Sequence, residues 1–123
     1  MATPLVVRDH TAVTRALWTA IQSGKAGATV DALGRSGLPR YGYYVGGHSW
    51  TLVRAAHAIT PDDVAGFVSA NPDAPYYGMW VDGGRVYLDA VDLIYSTPEA
   101  FKIARERCEL SIFDISSGEC QEV

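Results

Sequence analysis

The sequence predicts an α+β fold, an antiparallel sheet built from three β-hairpins with about three helices packed mainly on one face. Three observations carry this expectation. Apolar residues recur at helical spacing in separate stretches of the chain. Between them lie runs rich in aromatic and β-branched residues, joined by turns that contain glycine. The two patterns take turns along the sequence, and hairpins separated by helices imply antiparallel strands with the helices crossing over the sheet.

The first helix is expected over about residues 11–23, where Val13, Ala16, Leu17, Ala20 and Ile21 make one apolar stripe with Trp18 at its border. Asp9 or Thr11 can cap its start, and Gly24 suits a left-handed stop. Thr29 then caps one or two helical turns through Ala32 and Leu33, ending at Gly34 or Gly37 before Pro39 pushes the chain out of helix. Residues 41–45 and 49–55 read as the first hairpin, with Gly46 and Gly47 supplying the positive φ angles of its turn. Thr60-Pro61-Asp62-Asp63 starts the next helix. Thr60 caps, Pro61 sits where its missing N–H is harmless, and the aspartates favour the positive helix end. Val64, Phe67 and Val68 form its buried face, and Asn71-Pro72 ends it.

Residues 76–82 and 85–93 flank Gly83-Gly84 as the second hairpin. Ser96-Thr97-Pro98-Glu99 repeats the capping pattern for a helix reaching about Cys108. The third hairpin spans residues 109–115 and 119–123, joined around Ser116, Ser117 and Gly118. Leu17, Ile21, Phe67, Val81, Val86 and Ile112 are the expected core.

A length of 123 residues suits one domain over 1–123, large enough to form a core without metal or disulfide staples. Hydrophobic residues at 48% and charged residues at 20% place it among globular chains rather than disordered ones. A net charge of -4 works against non-specific nucleic-acid binding. No apolar run approaches the roughly 18 residues of a membrane span. Leu5, Val6 and Val7 lack the basic flank and long apolar segment of a signal peptide. Cys108 and Cys120 are too few for a disulfide framework and lack zinc-type spacing. A cytoplasmic setting with two free thiols is therefore expected, a bridge between them being the open alternative.

Several residues invite a chemical reading. His10, His48 and His57 could orient Ser49, Cys108 or Cys120 as a nucleophile, but no neighbouring residues match a nucleophile motif. Asp82, Asp89, Asp92 and Asp114 suggest paired carboxylates or a metal. Asp82 is explained as the opening of a turn, and Asp89 and Asp92, three apart on a strand, point to opposite faces. Neither glycine pair opens a helix, as a phosphate loop would. No catalytic, cofactor-binding or metal-ligating residue is expected, and ordinary surface or half-buried histidines are the simpler reading.

Arg40-Tyr41-Gly42-Tyr43-Tyr44, with Trp50 and Arg54 on the following strand, interleaves aromatics with arginine as single-strand nucleic-acid binders do. Alternation puts Tyr41 and Tyr43 on one face and Tyr44 on the other, and the acidic charge weighs against that partner. Seven tyrosines and three tryptophans exceed what a small core must hold, and both residue types favour protein contacts. The candidate interaction surface is therefore Tyr41, Tyr43, Tyr44, Trp50, Tyr76, Tyr77 and Trp80. An edge strand at 41–45 would also be free to pair with a copy of itself.

The stretch Tyr77-Gly78-Met79-Trp80-Val81-Asp82-Gly83-Gly84-Arg85-Val86-Tyr87-Leu88-Asp89 is followed by a helix, then by Ser111-Ile112-Phe113-Asp114 and a Gly118-Glu119 turn. From about Tyr76 to Val123 the chain resembles small uncharacterised accessory proteins of actinobacterial phages and prophages. The resemblance implies a context rather than an active site. It points to a non-enzymatic accessory protein in the host cytoplasm that binds another protein, such as a bacterial host protein, or pairs as a homodimer. Nucleic acid and membrane are not expected partners. The alternatives are a small enzyme with an unrecognised active site, and a single-strand nucleic-acid-binding module using the aromatic hairpin.

Overall fold

The computed structural model describes residues 7–37, 39–49 and 51–123. In chain order its elements are α1 (His10–Gln22), β1 (Gly27–Asp31), β2 (Tyr43–Val45), β3 (Leu52–Ala55), α2 (Pro61–Ala70), β4 (Tyr76–Asp82), β5 (Arg85–Ile94), α3 (Thr97–Glu106), β6 (Ser111–Asp114) and β7 (Glu119–Glu122). The strands form one sheet in the order β1-β4-β5-β2-β6-β7, with β3 beside the other half of β5. Every pairing is antiparallel, so the α+β class stands.

The helices begin where their caps stand. Asp9 accepts from Ala12 N at 3.0 Å, and Gly24 at φ 72 lets the chain leave α1. In α2, Asp63 N donates to Thr60 Oγ1 at 3.2 Å while Thr60 N donates to Asp63 Oδ2 at 3.0 Å, a reciprocal capping box. Ser96 caps α3, and Cys108 at φ 58 ends it in the left-handed conformation usually left to glycine.

Two sequence expectations are corrected. The short helix expected from Thr29 is instead strand β1, whose Val30 lies opposite Tyr77 and is buried. Thr29 caps nothing. Asp31 organises the turn, its Oδ1 accepting from Leu33 N at 2.9 Å and Arg35 N at 3.0 Å. The expected first hairpin is also absent, because β2 and β3 pair not with each other but each with β5. Between Val45 and Leu52 the chain advances seven residues while β5 advances four, from Asp92 to Leu88. The three surplus residues are extruded as a wide excursion that begins at Gly46 and Gly47. The other two hairpins, β4–β5 and β6–β7, form as expected.

Alternation along β5 then assigns the two sheet faces. Val86, Leu88 and Ala90 join Val13, Leu17, Val64, Phe67, Val68, Tyr77 and Met79 in the main core beneath α1 and α2. Ile94, of the same parity, joins Val45, Ala100, Ala104 and Ile112 in a second core beneath α3. All three helices thus cover one side. Of the expected core, Leu17, Phe67, Val86 and Ile112 are buried, while Ile21 and Val81 are half-buried at its edge. No helix among the described residues is long and apolar enough to cross a membrane.

Candidate functional site

The face of the sheet opposite the helices carries a band of aromatic rings. Trp80 and Tyr87, cross-strand partners in the β4–β5 hairpin, stack with centroids 4.1 Å apart. Further along, Tyr44 of β2 lies 5.3 Å from Tyr76 of β4 and 6.2 Å from Phe113 of β6. Tyr41 packs on Tyr95 at 5.2 Å, just beyond the strand ends. Trp80, Tyr41 and Tyr95 are exposed by 46%, 63% and 58%, far more than the packing of a small sheet requires. Burial and the neighbouring Tyr76, Asp31 and Tyr95 push the Tyr44 phenol up to about 12. Burial raises Tyr76 as well, so both phenols stay neutral near pH 7. The rings are uncharged, but cross-strand register puts Asp82, Arg85 and Asp89 on the same face as Trp80 and Tyr87, and the Arg35–Asp31 ion pair, Nε to Oδ2 at 2.8 Å, lies close to the Tyr76 end of the band.

The expected surface is therefore partly assembled and partly redistributed. Tyr41, Tyr44, Tyr76 and Trp80 share the helix-free side. Tyr43 does not, because its ring packs beneath α3 and its hydroxyl meets Thr97 Oγ1 at 2.9 Å. Tyr41 parts from Tyr43 because Gly42, at φ 106, breaks the extended backbone between them. Tyr77 is fully buried in the main core, and its hydroxyl donates to Asn71 O at 2.5 Å. Trp50 lies outside the described residues. Arg54 sits on the helix side with its guanidinium 3.8 Å from Asp63, away from the aromatics it was expected to accompany. The strand at 41–45 is no edge, because β2 is paired with β5 on one side and β6 on the other.

Tyr87, Tyr95 and Phe113 are members that the sequence reading left out. Tyr87 was within reach, since the Gly83-Gly84 turn puts it opposite Trp80. Tyr95 and Phe113 join only because β2 inserts between β5 and β6.

A second cluster is polar and involves Gly46, Gly47, His48 and Thr51. His48 Nδ1 lies 2.9 Å from Asp92 Oδ2, and Arg107 Nη2 reaches the same oxygen at 2.7 Å. Arg107 Nη1 also donates to Gly46 O at 3.0 Å. Asp89 Oδ1 accepts from Gly47 N and from Thr51 Oγ1, each at 3.1 Å. A Cβ at Gly46 would collide with Asp89 Oδ2 and stand 3.1 Å from Glu109 Oε1, so both carboxylates crowd this backbone. Burial raises the Asp89 carboxyl, and burial followed by the charge of Asp89 raises that of Glu109.

The other candidates remain apart. His10 begins α1, and His57 lies in an exposed turn before α2. Asp82 is exposed beside its turn, and Asp114 accepts from Ser116 N at 3.0 Å and Gln121 Nε2 at 3.1 Å. Cys108 and Cys120 are exposed, unbridged thiols. No group of three or more His, Cys, Asp or Glu among the described residues could hold a metal ion. No family model matches the chain, and no curated protein or solved structure is significantly similar to it.

Proposed function

We propose that this chain is a non-enzymatic accessory protein that binds another protein through the aromatic, helix-free face of its sheet. The observation that carries the reading is the exposure of Trp80, Tyr41 and Tyr95 along one band with Tyr44, Tyr76, Tyr87 and Phe113. Tyrosine and tryptophan dominate the energetics of protein contacts because they desolvate large areas and keep a polar tip. The acidic net charge of -4 favours a protein partner over a phosphate backbone. The phage or prophage setting, with a bacterial host protein or a second copy as partner, rests on the resemblance of the C-terminal motifs.

The test compares wild type with Trp80→Ala and Tyr41→Ala in sedimentation and in pull-down from host lysate, at low and high salt. Truncating a hot-spot ring costs about 2 kcal/mol or more, roughly a 30-fold loss of affinity. Association should fall by that order in at least one variant while the melting temperature stays close to wild type. Apolar contacts are little screened, so salt should matter little. A steep loss of binding with salt would favour the nucleic-acid reading, and undiminished association in both variants would remove this face from consideration.

A further inference from the structure

Among the described residues the sheet ends in two unpaired edges, β1 on one side and β7 on the other. In an antiparallel ladder, alternate residues turn their N–H and C=O toward the neighbouring strand and the rest turn them away. Val81 N donates to Ala26 O at 2.9 Å, so Ala26, Ala28 and Val30 face β4, while Gly27, Thr29 and Asp31 face outward. Asp31 uses its groups in the following turn, its N–H donating to Arg35 O at 2.9 Å and its carbonyl accepting from Gly34 N at 3.0 Å. Gly27 and Thr29 are left open. At the other edge Val123 N donates to Leu110 O at 3.1 Å, which turns Gln121 toward β6 and leaves Cys120 and Glu122 open.

Charge distinguishes the two edges. A groove of about 370 Å³ runs between β1 and α1, and its ionisable side chains, Arg15 and Lys25, are both basic. Strand β7 carries Glu119 and Glu122. All of these side chains are exposed, and none enters an ion pair among the described residues. Pairing either edge with its own copy would gather like charges, whereas pairing one with the other opposes them. Directions and faces agree as well. Strand direction alternates along β1-β4-β5-β2-β6-β7, so two copies set side by side in one orientation bring β7 antiparallel to β1. Laying Gly27 opposite Glu122 and Thr29 opposite Cys120 satisfies every open group on both strands at once. That register puts Gln121 beside Ala28 and Glu119 beside Val30. Ala28 and Val30 lie on the helix side with their partners Met79 and Tyr77, and Gln121 and Glu119 lie on that side with Ile112.

We propose that copies of this chain join head to tail, the β7 edge of one adding to the β1 edge of the next, with Glu119 set in the groove that Arg15 lines. The contact is heterologous, so it extends into open chains rather than closing as a symmetric dimer. It uses the backbone edges and not the aromatic face, and it does not depend on what that face binds.

Sedimentation of the whole chain, from micromolar to millimolar concentration, tests this. Wild type should form species that lengthen with concentration. Thr29→Pro and Glu122→Pro each remove an outward N–H without breaking a ladder bond, so both should fold. Each alone should stay monomeric, while their equimolar mixture should give a dimer and nothing larger, because every chain then keeps one working edge. Arg15→Glu and Glu119→Arg, at exposed positions, should each weaken association about tenfold, and the double variant should recover most of it. Wild type that is monomeric at millimolar concentration would overturn the proposal. Proline variants that associate as wild type does would also overturn it, since a symmetric or aromatic-face contact behaves that way, as would folded variants whose mixture stays monomeric. If a proline variant unfolds, the charge variants decide, and undiminished association in both of them overturns head-to-tail pairing.

Discussion

Asp31 accepts from Leu33 N, from Arg35 N and, at 2.8 Å, from the Arg35 guanidinium. Burial alone would raise its carboxyl. The backbone donors of Arg35 and Leu33, with the guanidinium, outweigh burial and hold it below its ordinary range. A depressed carboxylate contributes stability above its unfolded pKa and loses it as the pH falls through the folded value. Asp31→Asn keeps one acceptor oxygen and loses the charge. Arg35 is largely exposed, so the variant should be less stable by only about 0.5–1 kcal/mol at neutral pH. Urea midpoints of the two proteins should converge in strongly acidic buffer. A gap that persists unchanged there would show that the charge is not what holds this turn. The same residue explains why a helix is absent here, since its side chain satisfies the turn's N–H groups after a strand whose Val30 is buried.

At the level of elements, the β4–β5 hairpin turns through Gly83 and Gly84 at φ 57 and 75, both left-handed, with Asp82 opposite Arg85. That is the geometry in which asparagine suits the first turn position and glycine the second. Gly84→Ala should therefore cost about 1–2 kcal/mol, while Gly83→Asn should be close to neutral. Equal destabilisation in chemical denaturation would contradict this turn geometry. The Gly46-Gly47 pair looks the same in sequence and does another job. Only Gly47 of that pair is left-handed, and the side chains of Asp89, Arg107 and Glu109 crowd the backbone at the pair. A glycine pair signals room or positive φ. What lies on either side decides whether it turns a hairpin or starts an excursion.

Across the whole molecule, β5 is the shared member of both cores. Its Val86, Leu88 and Ala90 lie in the core under α1 and α2, and its Ile94 packs against the core under α3. Phe67, 1% exposed and set edge-on to Tyr77 at 6.2 Å, belongs to the first. Phe67→Ala should cost about 3–5 kcal/mol through the cavity it leaves. Because one strand spans both cores, that loss should destabilise the chain as a unit. Tryptophan fluorescence and far-UV circular dichroism should then give coincident denaturation curves for the variant and for wild type. Separated curves would mean that the region under α3 unfolds independently.

Local patterns were enough to specify the α+β class, α1, α2 and α3 with their caps, and the β4–β5 and β6–β7 hairpins. Each depends on neighbours a few residues apart: Thr60 with Asp63, Ser96 with Glu99, Gly83 with Gly84. The surplus of aromatics over what a small core holds also singled out Trp80 as a surface residue, and it is 46% exposed. Tertiary structure alone decided that β2 inserts between β5 and β6, that β3 continues along β5 after an excursion, and that residues 27–31 form an edge strand rather than a helix. Those choices rest on pairings between distant residues, such as Tyr44 with Leu93 and Phe113, which no local period encodes. They also brought Asp89, Asp92, Arg107 and Glu109 to one short segment, and sent Tyr43 and Tyr77 inward while Tyr41 and Tyr44 went outward. A period of two says that adjacent strand residues face opposite ways. Which way is core is settled only by where the helices pack.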